Sequence, residues 1–299
     1  MRPHRITRVS APTLAPTLAG RHSNAPVTAD GTEISLTYKD IIVEARDGVG
    51  TITLNRPDKL NAFADQMRQE IAAGVQELGG RPDVRVLVLT GAGRAFCAGA
   101  DVNYMRELQR RRDVEGMRAV IRAGAEAVTA IRQAAQPVIA SLNGPAAGAG
   151  ANLALACDLR IASERAYIGQ SFNRVGLHPD WGGTYFLPRL VGPAIAAELF
   201  FGGDMIDAGE AHRLGIFNRV VPDERLADET RAWAGELAEK PRLPQRRVKR
   251  AVQLSLSSTL EEMLEYELEA QLECATSADA VEGIQAFLEK RAPEFGRER

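Results

Sequence analysis

The chain has 299 residues, of which 45% are hydrophobic and 25% are charged, a composition typical of folded globular proteins rather than disordered or membrane-embedded ones. A net charge of −2 and a pI near 6.2 provide no general attraction to nucleic acid or to an anionic membrane surface. No run of about 18 apolar residues is present, and the three cysteines lack disulfide-framework or zinc spacing. We therefore expect a cytoplasmic protein without a metal site.

Residues 1–35 differ in composition from the rest of the chain. Arginines are scattered there among Pro, Thr, Ser and Ala, and the first acidic residue is Asp30. Such a segment cannot bury enough apolar surface to fold, and it faintly resembles a transit peptide. We predict a disordered extension and leave open a targeting segment or a start codon placed too early.

From residue 36 onward, strand and helix patterns alternate. Two β-rich runs flank the turn pair Asp47-Gly48 and predict a hairpin. The patterns that follow predict, in chain order, a helix over 62–78, a strand over 84–89, one long helix over 102–135, a strand over 138–142, a helix over 147–156 and a strand over 159–162. We predict an α/β core over residues 36–192.

Helical patterns dominate after residue 193. One strand is predicted over 216–221, and apolar stripes predict helices over 223–238, 243–256, 259–275 and 278–290. We therefore predict a helical C-terminal region over 193–299. Such helices can cover their own core or pack on a neighbouring subunit, and periodicity does not decide between the two.

Two loops rich in small residues, 91–101 and 143–152, each follow a predicted strand and precede a predicted helix. Glycine and alanine let a ligand approach the backbone, and N–H groups at a helix start lack intrahelical partners. Both loops contain GxG, but Phe96 and Leu153 occupy the third position of the dinucleotide fingerprint. Tight helix packing is the alternative for either loop alone, whereas the two together favour a paired N–H donor site.

Several segments resemble, in the right order, the signature of the crotonase (enoyl-CoA hydratase/isomerase) superfamily. They are Leu54–Phe63, Arg94–Asp101, Pro137–Gly144, Gly148–Asn152 and the C-terminal Glu282–Lys290. The resemblance covers roughly residues 38–295. It implies an α/β spiral of ββα units with a C-terminal helical trimerisation region, and a homotrimer or dimer of trimers. It also implies an acyl-CoA thioester as substrate, with no separate cofactor.

The resemblance also assigns site residues. It implies that the thioester carbonyl accepts the backbone N–H groups of Ala98 and Ala149, and such a donor contributes roughly 3–4 kcal/mol in the transition state. The positions that it assigns to coenzyme A binding are Lys59, Leu60, Ala98, Gly99, Ala100, Asp101, Phe172, Phe287 and Lys290. An ordinary solvated charge is the alternative for both lysines.

The type of reaction depends on carboxylates. Hydratases of this family place one water between two carboxylates, and those positions align with Asn152 and Phe172. Residues 170–189 instead resemble the 1,2-epoxyphenylacetyl-CoA isomerase branch, in which the carboxylate at the position of Asp180 is catalytic. A turn or N-cap role is the alternative for Asp180, and a structural role is favoured for nearby His178. Aromatic residues flanking Asp180 are expected to form a dry pocket, with plain core packing as the alternative.

We therefore predict an acyl-CoA isomerase that shifts a double bond or rearranges an epoxide, in fatty acid metabolism or phenylacetate degradation. Asp180 is its acid and base. An enoyl-CoA hydratase or acyl-CoA hydrolase is the enzymatic alternative. A non-catalytic RNA-binding or scaffold protein of the same fold is the alternative from another class, and the near-neutral charge argues against nucleic acid as a partner.

Overall fold

The computed structural model describes residues 36–64 and 66–296. The predicted N-terminal extension therefore lies outside the described residues. Within them, no helix is both long and apolar enough to cross a membrane.

A twisted sheet forms the centre of the described chain, with strand order β1-β2-β3-β4-β5-β7-β10. Its strands are β1 (Leu36–Thr37), β2 (Ile41–Arg46), β3 (Val49–Leu54), β4 (Val86–Gly91), β5 (Val138–Leu142), β7 (Leu159–Ser163) and β10 (Arg219–Val221). The predicted hairpin is present: β2 and β3 pair antiparallel, with Ile41 opposite Leu54. From β3 onward all pairs are parallel, which suits the continuous burial of β5.

A smaller sheet lies beside the first, in the order β6-β8-β9. Its strands are β6 (Ala146–Ala147), β8 (Tyr167–Gly169) and β9 (Met205–Asp207). Because β6 directly precedes the second glycine-rich turn, this sheet fixes the backbone from which that turn departs. It is the part of the fold that positions the second predicted donor loop.

The described chain has ten α-helices, and helices pack on both faces of the large sheet. They are α1 (Met67–Gly80), α2 (Val102–Arg111), α3 (Val114–Gln133), α4 (Ala149–Ala156), α5 (Gly183–Gly202), α6 (Ala208–Arg213), α7 (Leu226–Ala238), α8 (Arg242–Ser255), α9 (Leu260–Ala275) and α10 (Ala278–Glu289). One buried cluster includes Leu87, Leu89 and the buried faces of α1 and α3. The alternate residues Val86 and Val88 pack with Trp233 of α7 on the other side.

Two differences from the predicted elements matter here. The long helix predicted over 102–135 is two helices, because Arg112 adopts φ 53° and Asp113 caps α3 by accepting the N–H of Gly116 at 2.7 Å. The sequence interpretation also missed α5, whose interior contains Pro188 and Pro193. The backbone at Gly192 is non-helical, with φ 79° and ψ 162°, so the predicted domain boundary at 192/193 coincides with a kink. The division into domains stays a prediction.

Candidate active site

The side chain of Asn61 shapes the first donor loop. Asn61 is fully buried, and its Nδ2 donates to the carbonyls of Ala92 at 2.9 Å and Ala95 at 2.8 Å. Its Oδ1 accepts the N–H of Arg56 at 2.9 Å. One amide therefore holds the strand exit and the loop together, a role that sequence analysis did not assign to Asn61.

The prediction of an N–H donor at Ala98 in this loop needs correction. The N–H of Ala98 donates to the carbonyl of Leu60 at 2.9 Å, so it is not available to a thioester. Two residues later, Ala100 lies opposite Phe63 in a parallel β-bridge. The hydrogen bonds of this bridge are made by the two neighbours of Ala100: the N–H of Phe63 donates to the carbonyl of Gly99, and the N–H of Asp101 donates to the carbonyl of Phe63. The N–H of Ala100 therefore faces the opposite side, where no described residue accepts it. The donor predicted at Ala98 is wrong, and Ala100 is the available one.

The second loop presents Ala149 at the start of α4. Gly148 is the N-cap residue with φ 54°, and its own N–H donates to Gly169 O at 2.9 Å. The next N–H, that of Ala149, has no acceptor among the described residues, as expected in the first turn of a helix. The two loops are close together, because a Cβ at Gly99 would lie 3.6 Å from the nitrogen of Ala149. Ala100 and Ala149 thus provide two free N–H groups on adjoining loops.

Asp180, the carboxylate that the resemblance assigns to the site, lies on the loop directly before α5. Its Oδ1 is out of contact with solvent and has no hydrogen-bond partner among the described residues. Burial raises the pKa of Asp180 to about 6, although the charge of Arg68, the residue's own backbone N–H and the charge of His178 all lower it. The N-cap alternative is not what the structure has, because Gly182 caps α5. His178 is exposed, and its Nδ1 lies 2.6 Å from Pro179 O.

The two positions where hydratases place carboxylates hold Asn152 and Phe172. Asn152 is fully buried, donates from Nδ2 to the backbone carbonyl of Asp180 at 2.9 Å, and accepts at Oδ1 from Gln170 at 2.8 Å. Phe172 is buried, and its ring packs near Gly148. Asn152 therefore fastens the Asp180 loop to α4, and neither side chain can exchange a proton with water as a carboxylate would.

The aromatic surroundings of Asp180 differ partly from the expectation. Trp181 is buried, adopts φ 49°, and its ring centroid lies 4.5 Å from that of Phe63. Tyr185 instead is 44% exposed and packs beneath Arg189, so it does not keep the carboxylate dry. The indole of Trp181 occupies the space beside Gly124 of α3, where a Cβ would lie 1.7 Å from it. The absence of a side chain at Gly124 thus permits this packing.

A comparison with known proteins identifies the family. The sequence profile described as "Enoyl-CoA hydratase/isomerase" matches residues 44–298. The chain belongs to the enoyl-CoA hydratase/isomerase family. A "Probable enoyl-CoA hydratase" of Rhodobacter capsulatus is 42% identical over 263 residues, covering 87% of this chain and 99% of the relative. The "1,2-epoxyphenylacetyl-CoA isomerase" of Escherichia coli is 39% identical over 260 residues, covering 85% and 97%.

Solved structures of this hydratase/isomerase family give the same result. An enoyl-CoA hydratase subunit from Geobacillus kaustophilus is 40% identical with a TM-score of 0.80, covering 87% of this chain and 99% of that one. An enoyl-CoA hydratase from Bacillus anthracis is 34% identical with a TM-score of 0.83, covering 87% and 100%. The predicted crotonase-type α/β fold and the membership of the superfamily are confirmed.

The coenzyme A positions that the family resemblance assigns are distributed over two regions. Lys59 is exposed at the end of a 3-10 turn, and Leu60 follows with φ 50°. The Asp101 carboxylate caps α2 by accepting hydrogen bonds from the N–H groups of Asn103 and Tyr104, so its side chain is already engaged.

At the other end of the chain, Phe287 is 83% exposed and Lys290 is the C-cap residue of α10. Within the described residues, no hydrogen bond or ion pair joins either of them to the donor loops.

Two further features concern groups other than the available N–H donors and Asp180, although Gly91, Gly93 and Asn143 of the donor loops line the first of them. A cavity of about 580 Å³ lies between the sheet and α7, and neither the donor loops' free N–H residues nor Asp180 line it. Among the described residues, no cluster of three or more His, Cys, Asp or Glu side chains could hold a metal ion.

Proposed function

We propose that this family member is an acyl-CoA isomerase in which Asp180 is the acid and base. The observation that carries the proposal is that an amide and a phenyl ring occupy the hydratase carboxylate positions, while half-buried Asp180, whose Oδ1 is out of contact with solvent, lies beside them. One carboxylate is sufficient for isomerisation, since the proton that it removes is returned to another carbon. Hydration also requires that a water be positioned and activated.

The proposed steps follow from these groups. The Asp180 carboxylate removes a proton from C2 of a 3-enoyl-CoA, and the electron pair moves onto the thioester oxygen. The N–H groups of Ala100 and Ala149 hold that enolate oxygen. The protonated Asp180 then delivers the proton to C4, which gives the 2-enoyl-CoA. A pKa near 6 suits both steps, because the group is mostly ionised at pH 7 and still readily protonated.

The wider proposal includes substrate, assembly and location. An aryl- or alkenyl-acetyl thioester is supported by the similarity to the isomerase of Escherichia coli. The thioester brings its own coenzyme A, so we propose no separate cofactor. A homotrimer is supported by the exposed apolar face of the C-terminal helices. A cytoplasmic location is supported by the free state of all three cysteines.

An enoyl-CoA hydratase is the second candidate, favoured by the names of several relatives. The test incubates the purified protein with 3-enoyl-CoA and, separately, with 2-enoyl-CoA, followed by mass spectrometry and chromatography of the thioesters. We expect isomers of unchanged mass. Products that gain one water, without any positional isomer, would contradict the proposal.

The role of Asp180 is tested by Asp180→Asn, which keeps the shape of the side chain and removes its basicity. We expect isomerisation to fall by about 10²–10⁴-fold while the affinity for a non-reactive acyl-CoA is retained. Asp204→Asn, at an exposed carboxylate on the turn that precedes β9, is the control and should leave the rate unchanged. Full activity in Asp180→Asn would remove Asp180 from the mechanism.

A further inference from the structure

Arg68 is a cation in the interior, and the reaction proposed above does not use it. It is the second residue of α1, and its side chain is only 1% exposed. Arginine is rarely found in such a position, because removing a guanidinium from water is costly unless nearby groups compensate for its charge. The position of a guanidinium here therefore bears on the groups around it.

The contacts of Arg68 reach both parts of the active site. Its Nη2 donates to the carbonyl of Phe63 at 3.1 Å, and Phe63 is the residue whose backbone holds Gly99 and Asp101 beside the free N–H of Ala100. Its guanidinium carbon lies 5.8 Å from the centroid of the Phe63 ring and 5.9 Å from that of Trp181. Arg68 thus contacts the residue that fixes the first donor loop and the residue that directly follows Asp180.

The charge of Arg68 also acts on Asp180. Burial favours the neutral carboxyl and raises its pKa, whereas the Arg68 cation is the first of the influences that lower it. Among the described residues, His178 on the same loop also lowers that pKa, and it is exposed and has the weaker effect. Of these two groups, Arg68 is the buried one, and it belongs to another element, α1.

We propose that Arg68 is the positioning residue of this site: it holds the Phe63–Trp181 pair between the two loops and provides the buried counter-charge for the Asp180 carboxylate. This inference rests on the acid and base role proposed for Asp180. Without the cation, the pocket would favour the protonated acid, and the base would be present in about half of the molecules at pH 7 and about a tenth at pH 6.

The test measures the ionisation of Asp180 without requiring turnover. The chain has two tryptophans, so Trp233→Phe leaves Trp181 as the sole indole, directly adjacent to Asp180. In this background, Trp181 emission is titrated from about pH 4.5 to 8.5, and the part of the transition that Asp180→Asn abolishes is assigned to Asp180. We expect its midpoint near pH 6.

Arg68→Gln keeps an N–H donor and removes the charge. We expect it to raise the midpoint by about one pH unit, and therefore to lower kcat/KM about fivefold at pH 6 and by less than about twofold at pH 8. Arg68→Lys keeps the charge and should leave the midpoint within about 0.3 units of the parent. Arg68→Met takes the place of Arg68→Gln if the latter does not fold. Arg160→Gln, at a buried arginine that donates to Cys157 and Ile216, is the matched control and should not shift the midpoint.

An unchanged midpoint in the charge-removing variants, or no transition that depends on Asp180, overturns the proposal. The outcome is independent of the reaction type. A shifted midpoint in a protein that isomerises no thioester would retain the role of Arg68 and refute the proposed reaction. Isomerisation by the parent protein, together with an unchanged midpoint in the Arg68 variants, would support the proposed reaction and refute the role of Arg68.

Discussion

At the scale of the residue, the carboxyl group of Asp180 must be both shielded from solvent and ionised. Burial raises its pKa to about 6, so the base form is half populated at that pH. We therefore expect kcat/KM for isomerisation to rise with pH along a single-proton limb whose midpoint is near 6. A pH–rate profile with a thioester that reacts slowly enough for chemistry to limit the rate would measure it. A limb centred near pH 4 would mean that the carboxylate is solvated during the reaction.

The same shift has a consequence for stability. The folded pKa of Asp180 lies above its ordinary value of 3.8, so the folded protein retains a proton between about pH 4 and 6 that the unfolded chain has lost. This contribution to stability is complete below about pH 4 and is lost as pH rises through 6. Asp180→Asn should therefore increase the free energy of unfolding by about 1–3 kcal/mol at pH 7 and by much less at pH 4. Urea denaturation at both pH values measures the difference, and an equal effect at both would contradict it.

Asn152 shows how much of the candidate site could be predicted from the sequence at this scale. Its identity alone indicated that a hydratase carboxylate was missing, and the resemblance of the segment around Asp180 suggested a substitute. The role of Asn152 as a clamp on Asp180 depends on partners 18 and 28 positions away in the chain, Gln170 and Asp180, which no local pattern links. The error at Ala98 has a similar origin. The motif located the loop, but which N–H groups are free depends on pairing with residues 60 and 63.

At the scale of the element, the contact between α3 and the Asp180 loop depends on Gly124. A methyl group there would lie 1.7 Å from the indole of Trp181, so Gly124→Ala must displace the ring or the helix. We expect a loss of about 1–3 kcal/mol in unfolding free energy and a fall in kcat. Gly235→Ala is the control in α7, where no described atom lies within 4 Å of the new methyl group apart from the adjacent residues and the backbone of the helix itself. It should stabilise the protein by about 0.5–1 kcal/mol. Equal effects at the two sites would contradict this interpretation.

Element prediction succeeded where one signal dominated and failed where signals conflicted. Continuous β-branched and leucine runs predicted β4 and β5 because parallel central strands are buried on both faces. The break between α2 and α3 was missed, since Arg112 and Asp113 lie inside a charged helical pattern and Arg112 adopts a left-handed conformation that arginine seldom takes. The helix α5 was missed because two prolines argue against a helix, whereas the kink at Gly192 accommodates Pro193.

At the scale of the whole molecule, the C-terminal helices carry an apolar face that the described chain leaves uncovered. Leucines at four-residue spacing on α9 are half exposed or more: Leu260, Leu264, Leu268 and Leu272. On α10, Ile284 is 64% and Phe287 is 83% exposed. Contiguous apolar surface of this kind is typical of protein–protein interfaces. The predicted trimer would cover this face, and it would allow Phe287 and Lys290 to reach a neighbour's thioester.

The predicted trimer is tested by measuring the molar mass in solution, using size-exclusion chromatography coupled to multi-angle light scattering. We expect a mass about three times the 32.4 kDa of the chain. Leu264→Glu combined with Leu268→Glu places two charges on the apolar face and should yield monomers, because unpaired charges at an interface core are costly to desolvate. Glu265→Gln, an exposed change on the same helix, should leave the trimer intact.

If the residues near Lys290 complete a neighbour's site, the monomers should bind acyl-CoA more weakly than the trimer does. The pKa of Asp180 should stay near 6 in the monomers, since that carboxyl is shielded from solvent by its own chain. A parent mass of one chain, or a double variant that still forms trimers, would contradict the assembly.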